Sequence, residues 1–216
     1  MTSAMKTIYI ERSAGQGRDG DWVERLGLDG VERIVVGTGP GSFAGIRSAI
    51  AFAQGFALGR RCEVLGLPSP CAVAAKVFAS MGTVPMQSTG TVPMRLAVVG
   101  DARCGKIWIA LFNGFSLEKD VFQVDKGEIG DVLNGLPGEP YHIVTPDELR
   151  IGTLLEKTFG GQIAWGQTPE TGGQTPRYLG GQTPDAEGLR MFAEANPSIL
   201  KPEPLPIYLN PAVRTP

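Results

Sequence analysis

The chain has 216 residues, 42% of them hydrophobic, and a formal net charge of −2, so it can bury a full core in one domain or two small ones and has no intrinsic electrostatic pull toward nucleic acid. A single histidine, His142, excludes any site that needs two, and the three cysteines (Cys62, Cys71 and Cys104) lack metal-like spacing and fit small buried hydrophobes in a reducing cytosol. No apolar run approaches the length of a bilayer span, so the expectation is a soluble, cytoplasmic protein with no membrane partner.

Lys6 to Arg12 alternates around Ile8 and Ile10 and reads as a strand, ending in Glu11-Arg12-Ser13. A glycine-rich stretch, AGQGRDGD, follows, and Asp21 to Leu28 has room for at most two helical turns. Arg33 to Val36 is a short buried strand. Gly37-Thr38-Gly39-Pro40-Gly41 is a tight turn, and Ser42 is placed to cap the helix that starts at Phe43.

That helix, to Leu58, is the centre of the pattern. Phe43, Ile46, Ile50, Ala53 and Ala57 form one apolar stripe at three-and-four spacing, and Ala49, Phe52 and Phe56 form a second beside it. Only Arg47, Ser48 and Gln54 are plainly polar, which predicts a helix covered on most of its circumference. Gly45, Ala49, Ala53 and Ala57 are small enough for a second helix, of this chain or another, to come close.

Cys62 to Leu67 reads as the next strand, with Pro68-Ser69-Pro70 ending it and opening a helix near Cys71. GTVPM then occurs twice, at Gly82 and Gly90, as an inserted loop. Arg95 to Gly100 is a strand, and Asp101-Ala102-Arg103-Cys104-Gly105 turns into a second strand from Lys106. Gly100 to Lys106 has much of the spacing of a phosphate-binding loop. Yet Ile107 stands where Ser or Thr belongs, and the residues after Lys106 alternate as in a strand. Further on come an amphipathic segment at Lys126 to Leu133, a strand at Tyr141 to Val144 and a helix at Asp147 to Thr158 capped by Thr145 or Asp147. GQTP recurs at Gly166, Gly173 and Gly181, a tract read as loop, before a last helix at Pro184 to Ala195 and an extended tail that packs Ile207, Tyr208 and Leu209.

The run GTGPGSFAGIRSAIAFAQGFALG, with EVLGLPSPCAVAA, DARCGKIWIALF and the closing PLPIYLNP, resembles the TsaB family of bacteria, relatives of the glycoprotease fold. The resemblance covers Arg33 to about Phe112. It implies an α/β fold of the actin-like ATPase superfamily, with two lobes built on mixed sheets: an N-terminal lobe at residues 1–94, reduced, and a C-terminal lobe at 95–216. The family's hairpin and long helix after the first strand are missing here, and Ala44 stands where the family has Thr. It also implies a non-catalytic subunit of the machinery that makes N6-threonylcarbamoyladenosine in transfer RNA. Such a subunit binds a TsaD-like catalytic partner, touches transfer RNA only through that partner, and carries no cofactor, metal or catalytic residues of its own. The working surface would be the central helix, with Phe43, Ile46, Ile50, Ala53 and Phe56 as apolar contacts and Arg47 at the rim. The same helix could form a homodimer.

Other chemistry is weaker in the pattern. Gly39, Gly41 and Ser42 are a candidate anion or nucleotide site at the helix N-terminus, against a purely structural corner whose glycines permit close packing. Arg47 has Asp101, an anion or solvent as its candidate partners. Asp101 and Arg103 fit the bracing of a tight turn better than an acid and an electrophile, and His142 fits a structural role. A nucleotide-binding enzyme of the glycoprotease-like group and a degenerate homodimeric paralogue are the alternative functions.

Overall fold

The computed structural model describes residues 5–15, 22–81, 94–160 and 177–209. The chain forms two compact units, Met1–Ala72 with Pro184–Tyr208, and Val73–Thr183 with Leu209–Pro216. The division therefore falls near Ala72 instead of Met94, and residues 184–208 return to the first unit. They return because their apolar groups find their places there, as the strand and helix contacts below show.

In the first unit, β1 (Thr7–Ile10), β2 (Arg33–Gly37) and β3 (Glu63–Leu67) run parallel, and the short β9 (Lys201–Pro202) adds an antiparallel edge, in the order β1-β2-β3-β9. Ile10 lies opposite Val36, and Gly37 opposite Leu67. Ile34, Val35 and Val36 are all fully buried, the continuous apolar run expected of a central parallel strand covered on both faces. Helix α1 (Phe43–Leu58) lays Ile46, Ala49, Ile50 and Ala53 on Ile10, Val31, Ile34 and Val36. Helix α5 (Ala186–Ala195) starts at Asp185, whose side chain accepts the Gly188 N–H at 2.8 Å, and buries Leu189, Phe192 and Ala193 beside β1. Residues 22–28 form turns, with Leu26 N–H donating to Val23 O at 3.0 Å, and no α-helix. Trp22 meets Phe52 edge-on at 5.2 Å. The AGQGRDGD stretch lies mostly outside the described residues.

Helix α2 (Pro70–Ser80) leads into the second unit. There β4 (Arg95–Arg103), β5 (Lys106–Asn113) and β6 (Ser116–Asp125) form an antiparallel meander. The strands β7 (His142–Thr145) and β8 (Arg177–Gly181) extend it in parallel, giving the order β6-β5-β4-β7-β8. Helices α3 (Ile129–Asn134) and α4 (Glu148–Phe159) bring Ile129, Leu133, Ile151 and Leu155 onto Ala97, Val99, Ile107, Ile109 and Ile143. The two sheets are both mixed, and the α/β class is as expected.

The phosphate-loop spacing at Gly100 to Lys106 is a β-hairpin. Cys104 (φ 51°) and Gly105 (φ 78°) take the left-handed conformations of a tight two-residue connection, and Lys106 begins a strand. Cys104 is exposed there, unlike the buried Cys71, so it does not serve as a small core residue. The third GQTP copy begins on a strand and is loop beyond it: Gly181 ends β8, and Gln182 to Pro184 are irregular, with Gln182 N–H donating to Thr145 O at 2.8 Å. Burial of Tyr178 and Leu179 against neighbouring strands overrides the polar composition around them. The GTVPM copies, apart from Met94, and the other two GQTP copies lie outside the described residues.

Candidate functional site

The corner between β2 and α1 is made by backbone meeting backbone. Thr38 N–H donates to Leu67 O at 2.9 Å, and Thr38 O accepts Ile207 N–H at 2.9 Å. Gly39 N–H donates to Ser69 Oγ at 3.0 Å, and Gly39 O accepts Ser69 N–H at 2.9 Å. Ser42 caps α1 as the sequence predicts: its Oγ accepts Gly45 N–H at 3.3 Å and its carbonyl accepts Ile46 N–H at 2.9 Å. Its own N–H donates to Ser13 O at 2.7 Å.

The turn after β1 therefore sits on the start of α1. A side chain at Gly41 would collide with the Ser13 carbonyl, and one at Gly45 with the Arg12 carbonyl, so both glycines make room for the chain's own backbone. An anion at a helix N-terminus needs unspent N–H donors. Of the three residues proposed to hold one, Gly39 and Ser42 have already given theirs to Ser69 and Ser13, and Gly41 faces Ser13. Two of the three donors are thus spent within the chain, and the corner is held together by its own backbone.

Glu11, the first residue after β1, is part of this corner. Its Oε1 accepts Ser13 N–H at 2.6 Å, while Oε2 is buried against Gly37 without a hydrogen-bond partner. Burial pushes the carboxyl above the ordinary glutamate range, and hydrogen bonding around Ser13 and Ser69 only partly offsets this. Ser13, Thr38 and Ser69 are all buried nearby.

On α1, the residues expected to meet a partner separate into two groups. Ile46, Ile50 and Ala53 are 3%, 6% and 0% exposed and lie in the unit's own core, because they share the face that covers β2. Phe56 is half-buried, with the Arg60 guanidinium 4.2 Å above its ring. Phe43 and Arg47 are exposed. Arg47 stacks 3.9 Å over Phe43 and donates from Nε to the Tyr208 hydroxyl at 2.7 Å, which is its partner in place of Asp101. Phe43 and Tyr208 are 5.8 Å apart, each about half exposed.

Beyond this cluster, Ala44, Ser48, Ala51, Gly55 and Leu58 form an exposed row at three-and-four spacing. These are not the small residues picked out from the sequence, since Ala49 and Ala53 are used against the sheet. α1 is thus covered on one side, not on most of its circumference. The sequence did not single out Tyr208 as the partner of Arg47, although it lies in the closing segment that carries part of the resemblance.

In the second unit the Asp-Ala-Arg turn is braced, as expected. Asp101 is nearly buried, and its carboxylate meets Lys126 Nζ at 3.1 Å, Arg150 Nη1 at 3.5 Å and Arg103 Nη1 at 3.6 Å. It also accepts Arg103 N–H at 3.3 Å, and Asp101 N–H donates to Asp147 Oδ2 at 2.8 Å. Asp147 is the N-cap position of α4, but its side chain makes no cap bond and turns to β4 instead. Burial raises its carboxyl above the ordinary range; the hydrogen bond from Asp101 N–H opposes the shift, and the Asp101 charge adds to it. His142 Nδ1 is buried without a hydrogen-bond partner, and burial lowers the imidazole's pKa, so it stays neutral inside the unit. Among the described residues, no group of three or more His, Cys, Asp and Glu side chains is placed to hold a metal ion, and no helix is long and apolar enough to cross a membrane.

A glycine corner feeding a capped helix, in a chain of two mixed sheets, defines an α/β protein. The sequence model of the family described as TsaD, tRNA N6-adenosine threonylcarbamoyltransferase, matches residues 24–133, just over half of the chain, and these hold both the glycine corner and the Asp-Ala-Arg hairpin. The chain belongs to that family. Solved structures share its fold, and two of them illustrate the likeness. YeaZ from Pseudomonas aeruginosa is 18% identical, with a TM-score of 0.57 over 83% of this chain and 74% of that one. The other, described as an uncharacterized protein with similarity to peptidase YeaZ from Pseudomonas aeruginosa, is 16% identical, with a TM-score of 0.61 over 95% of this chain and all of that one. No curated protein matches the sequence.

Proposed function

We propose that the chain is a non-catalytic subunit of the transfer RNA N6-threonylcarbamoyladenosine machinery, which binds a TsaD-like catalytic protein and meets transfer RNA only through it. One observation carries the surface assignment: α1 presents a row of small residues to solvent, Ala44, Ser48, Ala51 and Gly55, ending in the 91% exposed Leu58 and headed by the Phe43–Arg47–Tyr208 cluster. Small side chains let a partner helix approach to the short end of the interaxial range, about 8 Å. Aromatic and arginine side chains are the groups that anchor such contacts. Near-neutral charge fits a subunit that leaves transfer RNA to its partner.

The test is co-purification with the TsaD-like protein of the same organism, for the wild type and for Ala51→Arg. A complex that Ala51→Arg weakens by at least thirtyfold, about 2 kcal/mol, supports the assignment. A wild-type chain that ignores the TsaD-like protein and pairs only with itself, with Ala51→Arg monomeric, replaces it with the homodimer.

A further inference from the structure

Arg47 is the single charged residue of α1, and its exposed guanidinium is already fixed in place. The guanidinium carbon lies 3.9 Å from the centroid of the Phe43 ring and 5.4 Å from that of the Tyr208 ring, and Nε donates to the Tyr208 hydroxyl at 2.7 Å. Tyr208 is anchored in turn through its own segment. Ile207 N–H donates to Thr38 O at 2.9 Å, and the buried Pro204 lies against Gly66 of β3. With Nε spent on Tyr208, the outer fork of Nη1 and Nη2 has no hydrogen-bond or ion-pair partner among the described residues.

A surface arginine ordinarily gives up rotamer freedom when something binds it. Here the two aromatic rings and the Tyr208 hydroxyl have removed that freedom beforehand, so the fork is preorganised. Two parallel N–H donors on a plane match the two oxygens of a carboxylate. The chain offers none nearby in sequence: residues 33–62, which hold β2, the glycine corner and all of α1, contain no Asp or Glu. A second copy pairing α1 with α1 therefore brings no carboxylate from that helix either. A nucleic-acid backbone is matched by several cations along a surface, and α1 carries one.

We infer that the Phe43–Arg47–Tyr208 cluster is a preorganised receptor for a carboxylate side chain of the TsaD-like protein, with Arg47 donating both bonds and Tyr208 acting as the residue that positions it. The inference rests on the partner assignment above and adds the chemistry by which that partner is recognised.

Calorimetric titration with the TsaD-like protein of the same organism, at about 0.05 and 0.5 M salt, tests it in the wild type, Arg47→Met, Tyr208→Phe and the double variant. The first substitution keeps an apolar chain over Phe43 and removes the fork, and the second keeps the ring and removes the hydroxyl. The expected result is binding about tenfold or more weaker for Arg47→Met, with most of the salt dependence gone. Tyr208→Phe should weaken binding about threefold or more alone and add nothing in the Arg47→Met background, because its effect passes through Arg47. A wild-type complex whose affinity and salt dependence survive Arg47→Met overturns the receptor and leaves the partner assignment standing. Losses that add in the double variant overturn the positioning role of Tyr208. A wild-type chain that does not bind the TsaD-like protein overturns the assignment and the receptor together. Transfer RNA binding that Arg47→Met weakens, with binding of the protein unchanged, makes the fork a phosphate contact and overturns the receptor as well.

Discussion

Replacing Ile50 by Ala distinguishes the two sides of α1 most directly. Ile50 is 6% exposed and packs in the cluster with Ile34, Val36, Ile46 and Ala53. Three carbons are lost, and at about 0.8 kcal/mol per buried methylene the transfer contribution is about 2.4 kcal/mol. The sheet below cannot collapse fully into the gap, so the total rises to about 3–4 kcal/mol. In a chain of this size that lowers Tm by roughly 6–16 °C, at about 2–4 °C per kcal/mol. The neighbouring substitution Ala51→Arg, on the exposed face, changes stability by no more than about 0.5 kcal/mol. Urea unfolding of the isolated chain, followed by circular dichroism, measures both. A loss below 1 kcal/mol for Ile50→Ala, or an equal loss for Ala51→Arg, would refute the assignment of one face to the core and the other to a partner.

Gly45→Ala improves helix propensity by up to about 1 kcal/mol, but its methyl group meets the Arg12 carbonyl, so a net destabilisation of about 1–3 kcal/mol is expected in the same unfolding assay. Asp101→Asn removes the charge that gathers Lys126, Arg150 and Arg103, and should cost about 1–3 kcal/mol, read by thermal unfolding at low salt. Tyr141, buried and donating to Glu118 Oε2 at 2.5 Å, has its phenol pushed up to about 12, burial being the larger cause and the Glu118 bond the next. Its folded-state pKa is the higher one, so the folded chain holds the proton longer. Stability from this group is present below pH 10 and is lost as pH rises toward 12, a loss that Tyr141→Phe should abolish in alkaline unfolding.

The sequence by itself determined the local elements and the fold they belong to. A fully apolar strand, glycines with a proline and a serine cap dictate β2, its corner and α1 whatever surrounds them, since propensity, turn chemistry and capping are short-range effects. The alternation after Lys106 likewise marks a strand where a phosphate-binding loop would lead into a helix. Tertiary structure alone decided the rest. Helical spacing marks stripes but does not say which one a sheet will cover, so Ile46, Ile50 and Ala53 went to the core and the small-residue row of Ala44, Ser48 and Ala51 to solvent. β8 forms because Tyr178 and Leu179 are buried beside β7, a long-range gain that a window of glycine-rich sequence does not contain. The pairings of Glu11 with the corner and of Arg47 with Tyr208 join residues that are far apart in the chain. They depend on where the folded backbone brings β1, α1 and the closing segment together, because contacts of that kind are set by packing and not by neighbours in sequence.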